Sequence, residues 1–329
     1  MRTSPISTTV DFEADGRQHG FLKLPYSGDD SAWGAIMIPI TVVKNGDGPT
    51  ALLTGGNHGD EYEGPIALWN LAQSLTPEQV SGRVVIVPAM NYPAFRAARR
   101  TSPIDGGNMN RVFPGRPDGS ETEKIADYFT RYLLPMADYV LDIHSGGKTL
   151  EFVPFAAIHV LDDKQQQSRC EAAMAAFGAP YSLALLELDG ADMYDTVAEN
   201  QGKVFLSTEL GGGGSATPTT ISIARRGVDN LLKHAGILSG EVTSGSSQRL
   251  DMPDNSCFVT SEHSGLVEMQ VELGATVEAG DTLLKIHDVE RTGVAAQSYH
   301  ASRSGVLVGR HYPGLCKPGD ALAVIGIQV

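Results

Sequence analysis

The sequence has little cysteine, no long apolar segment and few basic residues. Its three cysteines, Cys170, Cys257 and Cys316, have no CxxC spacing. This argues against a disulfide framework and against a cysteine-based zinc site, and it is typical of a reducing compartment. No apolar run approaches the roughly 18 residues of a membrane span, and the N-terminus lacks the apolar core of a signal peptide. We therefore expect a cytoplasmic protein without a membrane partner.

Basic residues are outnumbered by acidic ones. The chain has 25 Lys and Arg against 39 Asp and Glu, a formal net charge of -14. Such a charge opposes binding to the phosphate backbone of nucleic acid, so we expect no nucleic-acid partner. The acidity fits a cationic or zwitterionic substrate, a saline habitat and plain solubility equally well.

The sequence has the composition of a folded globular protein, with 41% hydrophobic and 19% charged residues. Beyond residue 50, short apolar runs alternate with stretches of helical periodicity. The predicted buried strands are 51–53, 84–87, 139–141 and 204–206, and the predicted helices lie near 63–75, 122–136, 164–177 and 219–236. This alternation predicts an α/β fold with a mixed sheet flanked by helices.

The length of 329 residues suggests more than one domain. Residues 241–254 are largely small and polar, as in a linker, and a repeat follows them: Ser264–Val267 and Gly280-Asp281 are echoed by Ser304–Leu307 and Gly319-Asp320. We predict a small C-terminal β-barrel that resembles the lipoyl/biotinyl carriers. Because residues 287–303 contain no lysine for a prosthetic group, only the fold is expected, without the carrier function. The predicted divisions are an N-terminal β segment packing on the catalytic or C-terminal domain (1–48), a catalytic domain (49–240), a linker (241–254) and the barrel (255–329).

Two histidines and a glutamate have the arrangement of a metal site. His58 and Glu61 lie three positions apart in a glycine-rich turn that follows the first buried strand, and His144 ends another strand. Either histidine alone is more simply explained as a solvated turn residue or a hydrogen-bonded core residue. Together they predict a three-ligand zinc site, because both follow strands whose carboxyl ends form the ligand-binding edge of an α/β sheet. Asp142 is placed to accept the second ring N–H of one of these histidines.

Three further positions are candidates for catalysis and substrate binding. Glu209 ends a third strand before four glycines, so we predict that it is the general base, although an exposed loop acid is the alternative. The loop pair Asn110-Arg111 suits the free carboxylate of an amino-acid substrate, whereas an ordinary surface loop would also explain it. Arg100, or its neighbour Arg99, is a candidate to stabilise an oxyanion.

The four motifs, taken together, resemble the succinylglutamate desuccinylase/aspartoacylase family, which is related to the zinc carboxypeptidases. The motifs are His58-Gly59-Asp60-Glu61, Asn110-Arg111, His144 and Thr208-Glu209-Leu210-Gly211. The resemblance implies one zinc ion on His58, Glu61 and His144, Glu209 as base, and Asn110-Arg111 on a substrate carboxylate. Aspartoacylases have an arginine shortly before the Asn-Arg pair, where this chain has Ser102 or Pro103, so Arg100 is our first choice for the oxyanion.

Longer stretches are most similar to the branch of this family that acts in bacterial ectoine catabolism. They are TGGNHGDEYEGPIAL, GGNMNRVFPG and HSGGKTLEFVP. This resemblance implies removal of the acetyl group from Nα-acetyl-L-2,4-diaminobutyrate. The candidate partners are the small N-acyl amino acid substrate and, independently of the resemblance, further copies of this chain in a homo-oligomer. The alternatives are another N-acyl amino acid deacylase, a zinc carboxypeptidase, or a zinc-stabilised binding scaffold with no enzymatic activity.

Overall fold

The computed structural model describes residues 3–185, 192–243 and 245–329. Its strands are β1 (Ser7–Thr8), β2 (Gly16–Gly28), β3 (Ser31–Asn45), β4 (Thr50–Gly55), β5 (Gly82–Val87), β6 (Tyr139–His144), β7 (Leu150–Phe152), β8 (Phe155–His159), β9 (Tyr181–Leu185), β10 (Val204–Glu209), β11 (Gln248–Met252), β12 (Phe258–Thr260), β13 (Gly265–Met269), β14 (Thr276–Val277), β15 (Thr282–His287), β16 (Gln297–His300), β17 (Gly305–His311), β18 (Leu315–Cys316) and β19 (Ala321–Gln328). Its α-helices are α1 (Glu63–Ser74), α2 (Tyr92–Arg96), α3 (Glu121–Tyr128), α4 (Lys164–Phe177), α5 (Tyr194–Asn200) and α6 (Pro218–His234).

A large mixed sheet organises the molecule. Its strand order is β1-β2-β3-β5-β4-β6-β10-β8-β9-β11-β19-β17-β14, with β12 paired to β19 and β7 paired to β17. The neighbours β5, β4, β6 and β10 are parallel, whereas β8 joins β10 in the antiparallel direction. The predicted mixed α/β sheet is therefore confirmed, and its parallel centre carries the strands predicted beyond residue 50.

The central strands are apolar on both faces because helices or further strands cover each side. In β4, Leu53 packs in a core with α1, α4 and α6, while its neighbour Leu52 points to the opposite core, which α3 and the β2–β3 hairpin complete. Alternate side chains of a strand face opposite ways, so burial on both faces produces the continuous apolar runs seen in the sequence.

The predicted helices are confirmed, with one local difference. Ser120 and Glu123 form the capping box that starts α3. The predicted helix over 122–136 does not stay α-helical to its end: after α3 the chain forms a π turn over Phe129–Leu133 and a 3₁₀ turn over Leu134–Met136. Pro135, which cannot donate a backbone hydrogen bond, lies in that last turn. No helix in the described part of the chain is long and apolar enough to cross a membrane. The three cysteines are buried and free.

The C-terminal repeat forms two similar structural units. Residues 265–287 contain β13, β14 and β15, and residues 305–328 contain β17, β18 and β19 in the same order. The short strand of each unit pairs with the first long strand of the other, β14 with β17 and β18 with β13. Strands β16, β15, β13 and β18 form a separate antiparallel sheet, which packs on β17 and β19 through a small apolar core. The likeness to a lipoyl-type barrel stays a prediction.

The segment predicted as a linker, residues 241–254, is more ordered than its composition suggested. It contains β11, which pairs with β9 on one side and with β19 on the other. Leu250 and Met252 are buried. They lie two positions apart along the strand, so both side chains point to the same face of the sheet. Residues 248–252 of the predicted linker thus form a strand, and Ser244 lies outside the described residues. The division into domains stays a prediction.

Candidate active site

Three neighbouring parallel strands bring the candidate residues to one edge of the sheet. In β6 and β10, His144 and Glu209 are register partners, and Thr54 of β4 is the partner of Asp142. His58 and Glu61 follow β4 directly. The carboxyl ends of these strands therefore meet as the sequence predicted, at the edge where open α/β sheets bind ligands.

The side chains of His58, Glu61 and His144 converge below the surface. Nδ1 of His58 lies 2.7 Å from Oε1 of Glu61, and Nδ1 of His144 lies 2.9 Å from Oε2 of the same carboxylate. One ligand atom from each residue lies within 4.8 Å of the others, and all three residues are buried. This is the donor set that the sequence predicted.

The other nitrogen of each imidazole faces an oxygen atom. Nε2 of His144 lies 2.7 Å from Asp142, whose carboxylate also accepts hydrogen bonds from Asn57 and Thr54. Nε2 of His58 lies 3.2 Å from Oδ1 of Asn108. Asp142 thus orients His144 and not His58, a choice that the sequence left open. With these Nε2 atoms as donors, both Nδ1 lone pairs point towards Glu61.

The electrostatics of this group fit a divalent cation. Burial opposes ionisation of Glu61, yet the imidazoles of His58 and His144 hold its pKa well below the usual range. Burial lowers the pKa of His58. Burial also acts to lower the pKa of His144, but Asp142 and Glu61 outweigh it and raise that pKa well above the usual value. Two converging imidazole nitrogens and an ionised carboxylate are the ligands that zinc prefers.

Close backbone packing fixes the turn that carries His58. A Cβ atom on Gly59 would lie 2.0 Å from the backbone carbon of Ala94, so only glycine fits against helix α2 at this position. The neighbouring Asp60 is buried and accepts a hydrogen bond of 3.0 Å from the backbone N–H of Lys148. This bond ties the His58 turn to the loop that follows His144, so the two halves of the ligand group are held together.

Glu209 occupies a strongly desolvating position beside the ligand group. Its Oε2 atom is buried and makes no hydrogen bond with the described residues. Burial, reinforced by the negative charge of Glu61, raises the pKa of Glu209 to about 8. A carboxyl group with a pKa near neutrality can both accept and return a proton, which is the property that a general base and acid requires.

This position should cost stability in the metal-free protein. The Glu209 carboxyl ionises near 4.5 when unfolded but keeps its proton up to about pH 8 when folded, so the native state loses stability as the pH rises between these values. Glutamine cannot ionise. We therefore expect metal-free Glu209→Gln to melt a few degrees above the metal-free parent at about pH 8, with the gap closing towards about pH 5. Thermal melts of both proteins across this pH range would measure the difference in melting temperature. A difference that does not depend on pH would contradict the raised pKa of Glu209.

The three predicted substrate-binding residues all line the same cavity as the ligand group. Arg100 is 48% exposed, and its Nη1 lies 3.5 Å from Oε1 of Glu61. Asn110 accepts a 3.0 Å hydrogen bond from the backbone N–H of Tyr194 through Oδ1, which leaves its NH₂ group as a donor. Arg111 also lines the cavity. The alternative Arg99 is exposed and does not line this cavity; its carbonyl oxygen accepts a hydrogen bond from Gly59.

The cavity has a volume of about 690 Å³, which suits a small molecule. Part of its wall comes from the C-terminal region: Met252, Asn255, Phe258 and Val324 line it. Sequence reasoning missed these residues because they are far from the motifs along the chain. It also missed three polar residues with no motif of their own, which lie in or beside this cavity: His159, Asp195 and Glu199.

The fold and the site together define a class of protein. An α/β sheet that gathers two histidines, two glutamates and a pair of arginines around one cavity at the carboxyl ends of its parallel strands is the arrangement of a hydrolase whose site can hold a metal ion.

Comparisons with known proteins identify the family. Residues 47–235 match the succinylglutamate desuccinylase/aspartoacylase catalytic domain. The chain is 60% identical to the N-alpha-acetyl-L-2,4-diaminobutyric acid deacetylase of Halomonas elongata, over 99% of this chain and 96% of that protein. The chain therefore belongs to the succinylglutamate desuccinylase/aspartoacylase family.

Two solved structures are similar over almost their full length. The product-bound ectoine utilization protein EutE (DoeB) from Ruegeria pomeroyi matches with a TM-score of 0.98 and 60% identity, over 99% of this chain and 100% of that one. A succinylglutamate desuccinylase/aspartoacylase from Rhodobacter sphaeroides matches with a TM-score of 0.95 and 38% identity, over 99% of each chain. The family resemblance that the motifs suggested is thus confirmed for the whole chain.

Proposed function

We propose that this protein is a zinc-dependent deacetylase that hydrolyses Nα-acetyl-L-2,4-diaminobutyrate to L-2,4-diaminobutyrate and acetate in the degradation of ectoine. The observation that carries the proposal is the meeting of the His58, Glu61 and His144 group with Glu209 and Arg111 in one cavity. The relative from Halomonas elongata supports the choice of substrate, because its name specifies this reaction and it spans nearly the whole chain.

In this proposal His58 and His144, through Nδ1, and Glu61 hold one zinc ion. When bound, the zinc supplies Lewis-acid polarisation of the amide carbonyl and makes a nearby water more acidic. Asp142 holds the His144 ring in place, and Asn108 holds the His58 ring. Two protein nitrogens and one carboxylate are three ligands, which suits a catalytic site better than the four-ligand site of a structural scaffold.

Glu209 manages the proton in this mechanism. Its buried carboxylate accepts the proton of the attacking water and later gives it to the departing amide nitrogen, so that the amine leaves as a neutral group. Arg100, beside Glu61, stabilises the negative oxygen that develops on the carbonyl. Glu209 and Arg100 both line the cavity.

Asn110 and Arg111 hold the α-carboxylate of the substrate. The guanidinium offers a two-pronged set of donors that matches a carboxylate, and the Asn110 NH₂ group adds a third donor. The hydrogen bond from Tyr194 N–H to Asn110 fixes the direction of that amide.

The assay that tests the function measures acetate and free amine from a panel of Nα-acetyl amino acids, in parallel with the metal content of the same sample. We expect acetate release to be fastest with Nα-acetyl-L-2,4-diaminobutyrate and to stop after chelation. Preferred hydrolysis of an acidic N-acyl amino acid would indicate another deacylase, and release of a C-terminal residue from a peptide would indicate a carboxypeptidase. Zinc without any turnover would support a scaffold.

Replacing Arg111 should have an effect that depends on the substrate's carboxylate. We expect Arg111→Ala to lower kcat/KM for the free acid by roughly 10- to 10²-fold, because it removes charge-assisted hydrogen bonds to one end of the ligand. The carboxamide analogue of the same substrate should lose much less. Steady-state kinetics with both compounds would measure the difference, and equal losses would argue for a structural or oxyanion role.

A further inference from the structure

The cavity contains an acid that the proposed chemistry does not use. Asp195 lies in the first turn of α5 and lines the cavity together with His159 and Ser207. Its Oδ1 atom accepts a 2.7 Å hydrogen bond from the backbone N–H of the next residue, Thr196. None of the lysines and arginines in the described ranges forms an ion pair with this carboxylate. Burial raises the pKa of Asp195, although the nearby imidazole of His159 acts in the opposite direction.

A buried histidine–glutamate pair lies close to Asp195. Nδ1 of His159 lies 3.0 Å from Oε2 of Glu199, and both residues are buried. Glu199 is itself held in place, because the side chain of Gln166 donates to its carbonyl oxygen. The imidazole favours ionisation of Asp195, whereas burial and Glu199 oppose it. Two carboxylates next to one imidazole form an acidic region, which suits a cationic ligand group.

The chain places this negative region close to the predicted carboxylate subsite. Asn110 accepts a hydrogen bond from the N–H of Tyr194, and Tyr194 directly precedes Asp195. Asn110, Arg111 and Asp195 also line one cavity. A small ligand that carries a carboxylate and a cation separated by a few bonds suits both groups.

We propose that Asp195 binds the side-chain ammonium group of the substrate and so selects a short diamino acid over neutral or acidic amino acids. This inference rests on the proposed function and adds the residue that would determine its specificity. In 2,4-diaminobutyrate, two methylene groups separate the ammonium from the α-carbon, which suits two subsites joined through adjacent residues. The buried Glu199 carboxylate adds negative charge near Asp195, and burial strengthens the electrostatic attraction of such a charge for a cation.

The test compares two substrates that differ only in this charge. Nα-acetylnorvaline has a side chain of nearly the same size as that of Nα-acetyl-L-2,4-diaminobutyrate, with a methyl group in place of the ammonium. We expect Asp195→Asn to lower kcat/KM for the diamino substrate by roughly 10- to 10²-fold and to change kcat/KM for the norvaline substrate by less than about threefold. Exposed Asp192, three residues earlier, gives the matched control: Asp192→Asn makes the same charge change and should alter neither value.

Calorimetry on the products provides a readout independent of turnover. The parent should bind 2,4-diaminobutyrate more tightly than norvaline, and Asp195→Asn should abolish this preference while its zinc content stays at the parental value and the protein remains folded. Equal effects on both substrates, or no effect on either, would overturn the inference while leaving the deacetylase function intact. A parent enzyme that fails to release acetate from the diamino substrate, yet hydrolyses acidic N-acyl amino acids, would overturn the proposed function and this inference with it.

Discussion

Replacing Glu209 by glutamine should lower kcat by roughly 10² or more while the protein keeps its metal. The substitution retains the size and hydrogen-bonding capacity of the side chain but removes the group that accepts and returns the proton. Because Glu209 is not one of the three converging ligand residues, zinc content should remain near one ion per chain. KM should change little, since in our proposal other residues hold the α-carboxylate and the ammonium group.

The measurement combines steady-state kinetics with metal analysis of the same preparation. Glu241→Gln, at an exposed position, is the control for loss of one negative charge and should behave like the parent. Near-normal turnover of Glu209→Gln would exclude Glu209 as the base. Loss of both zinc and turnover would instead place Glu209 among the metal ligands.

Replacing His144 by alanine should abolish zinc binding under conditions where the parent is fully loaded, and activity should disappear with it. The change removes one of three ligand atoms and also leaves Asp142, a buried carboxylate, without its imidazole partner. We expect an affinity loss of more than roughly 10²-fold, larger than the 10- to 10²-fold expected for Asp142→Asn, which only disturbs the orientation of the ring. His58→Ala should resemble His144→Ala.

Competition with a chromogenic chelator would give these affinities directly and would not depend on an activity assay. His263→Ala is the matched control, because His263 is exposed in the C-terminal region and lies outside the ligand group. Full zinc occupancy together with full activity in both His58→Ala and His144→Ala would show that the metal is held elsewhere.

The sequence predicted those parts of the site that depend on local order along the chain. A strand followed by a polar residue can be recognised from the sequence alone. The parallel arrangement of β4, β6 and β10 then brings the three strand ends together. For this reason the sequence alone was sufficient to assign His58, His144 and Glu209 to the same edge of the sheet. The sequence could not predict which histidine Asp142 contacts, because the choice depends on the orientation of the two imidazole rings.

Other parts depend on contacts that no motif announces. Asp195 and Glu199 lie on a short helix without a recognisable signature. Because that helix packs beside β10, Asp195 lines the cavity and Glu199 contacts the cavity residue His159. Strand β11 was not predicted because a polar stretch of serines and glycines precedes it. The strand has only two buried apolar residues, Leu250 and Met252, which are too few to show a clear strand pattern. Pairing with β9 and β19 supplies the hydrogen bonds that make this segment a strand.

The pairing of β11 has a consequence for how such proteins can diversify. Strands β11 and β19 continue the large sheet, and Met252, Phe258 and Val324 form part of the cavity wall. The C-terminal region therefore cannot be exchanged for another domain without changing the sheet and the cavity. Substitutions there would alter the shape of this cavity without changing any residue that we propose to hold zinc or to transfer the proton. Substrate specificity can therefore change through residues of the C-terminal region, while the proposed catalytic residues stay the same.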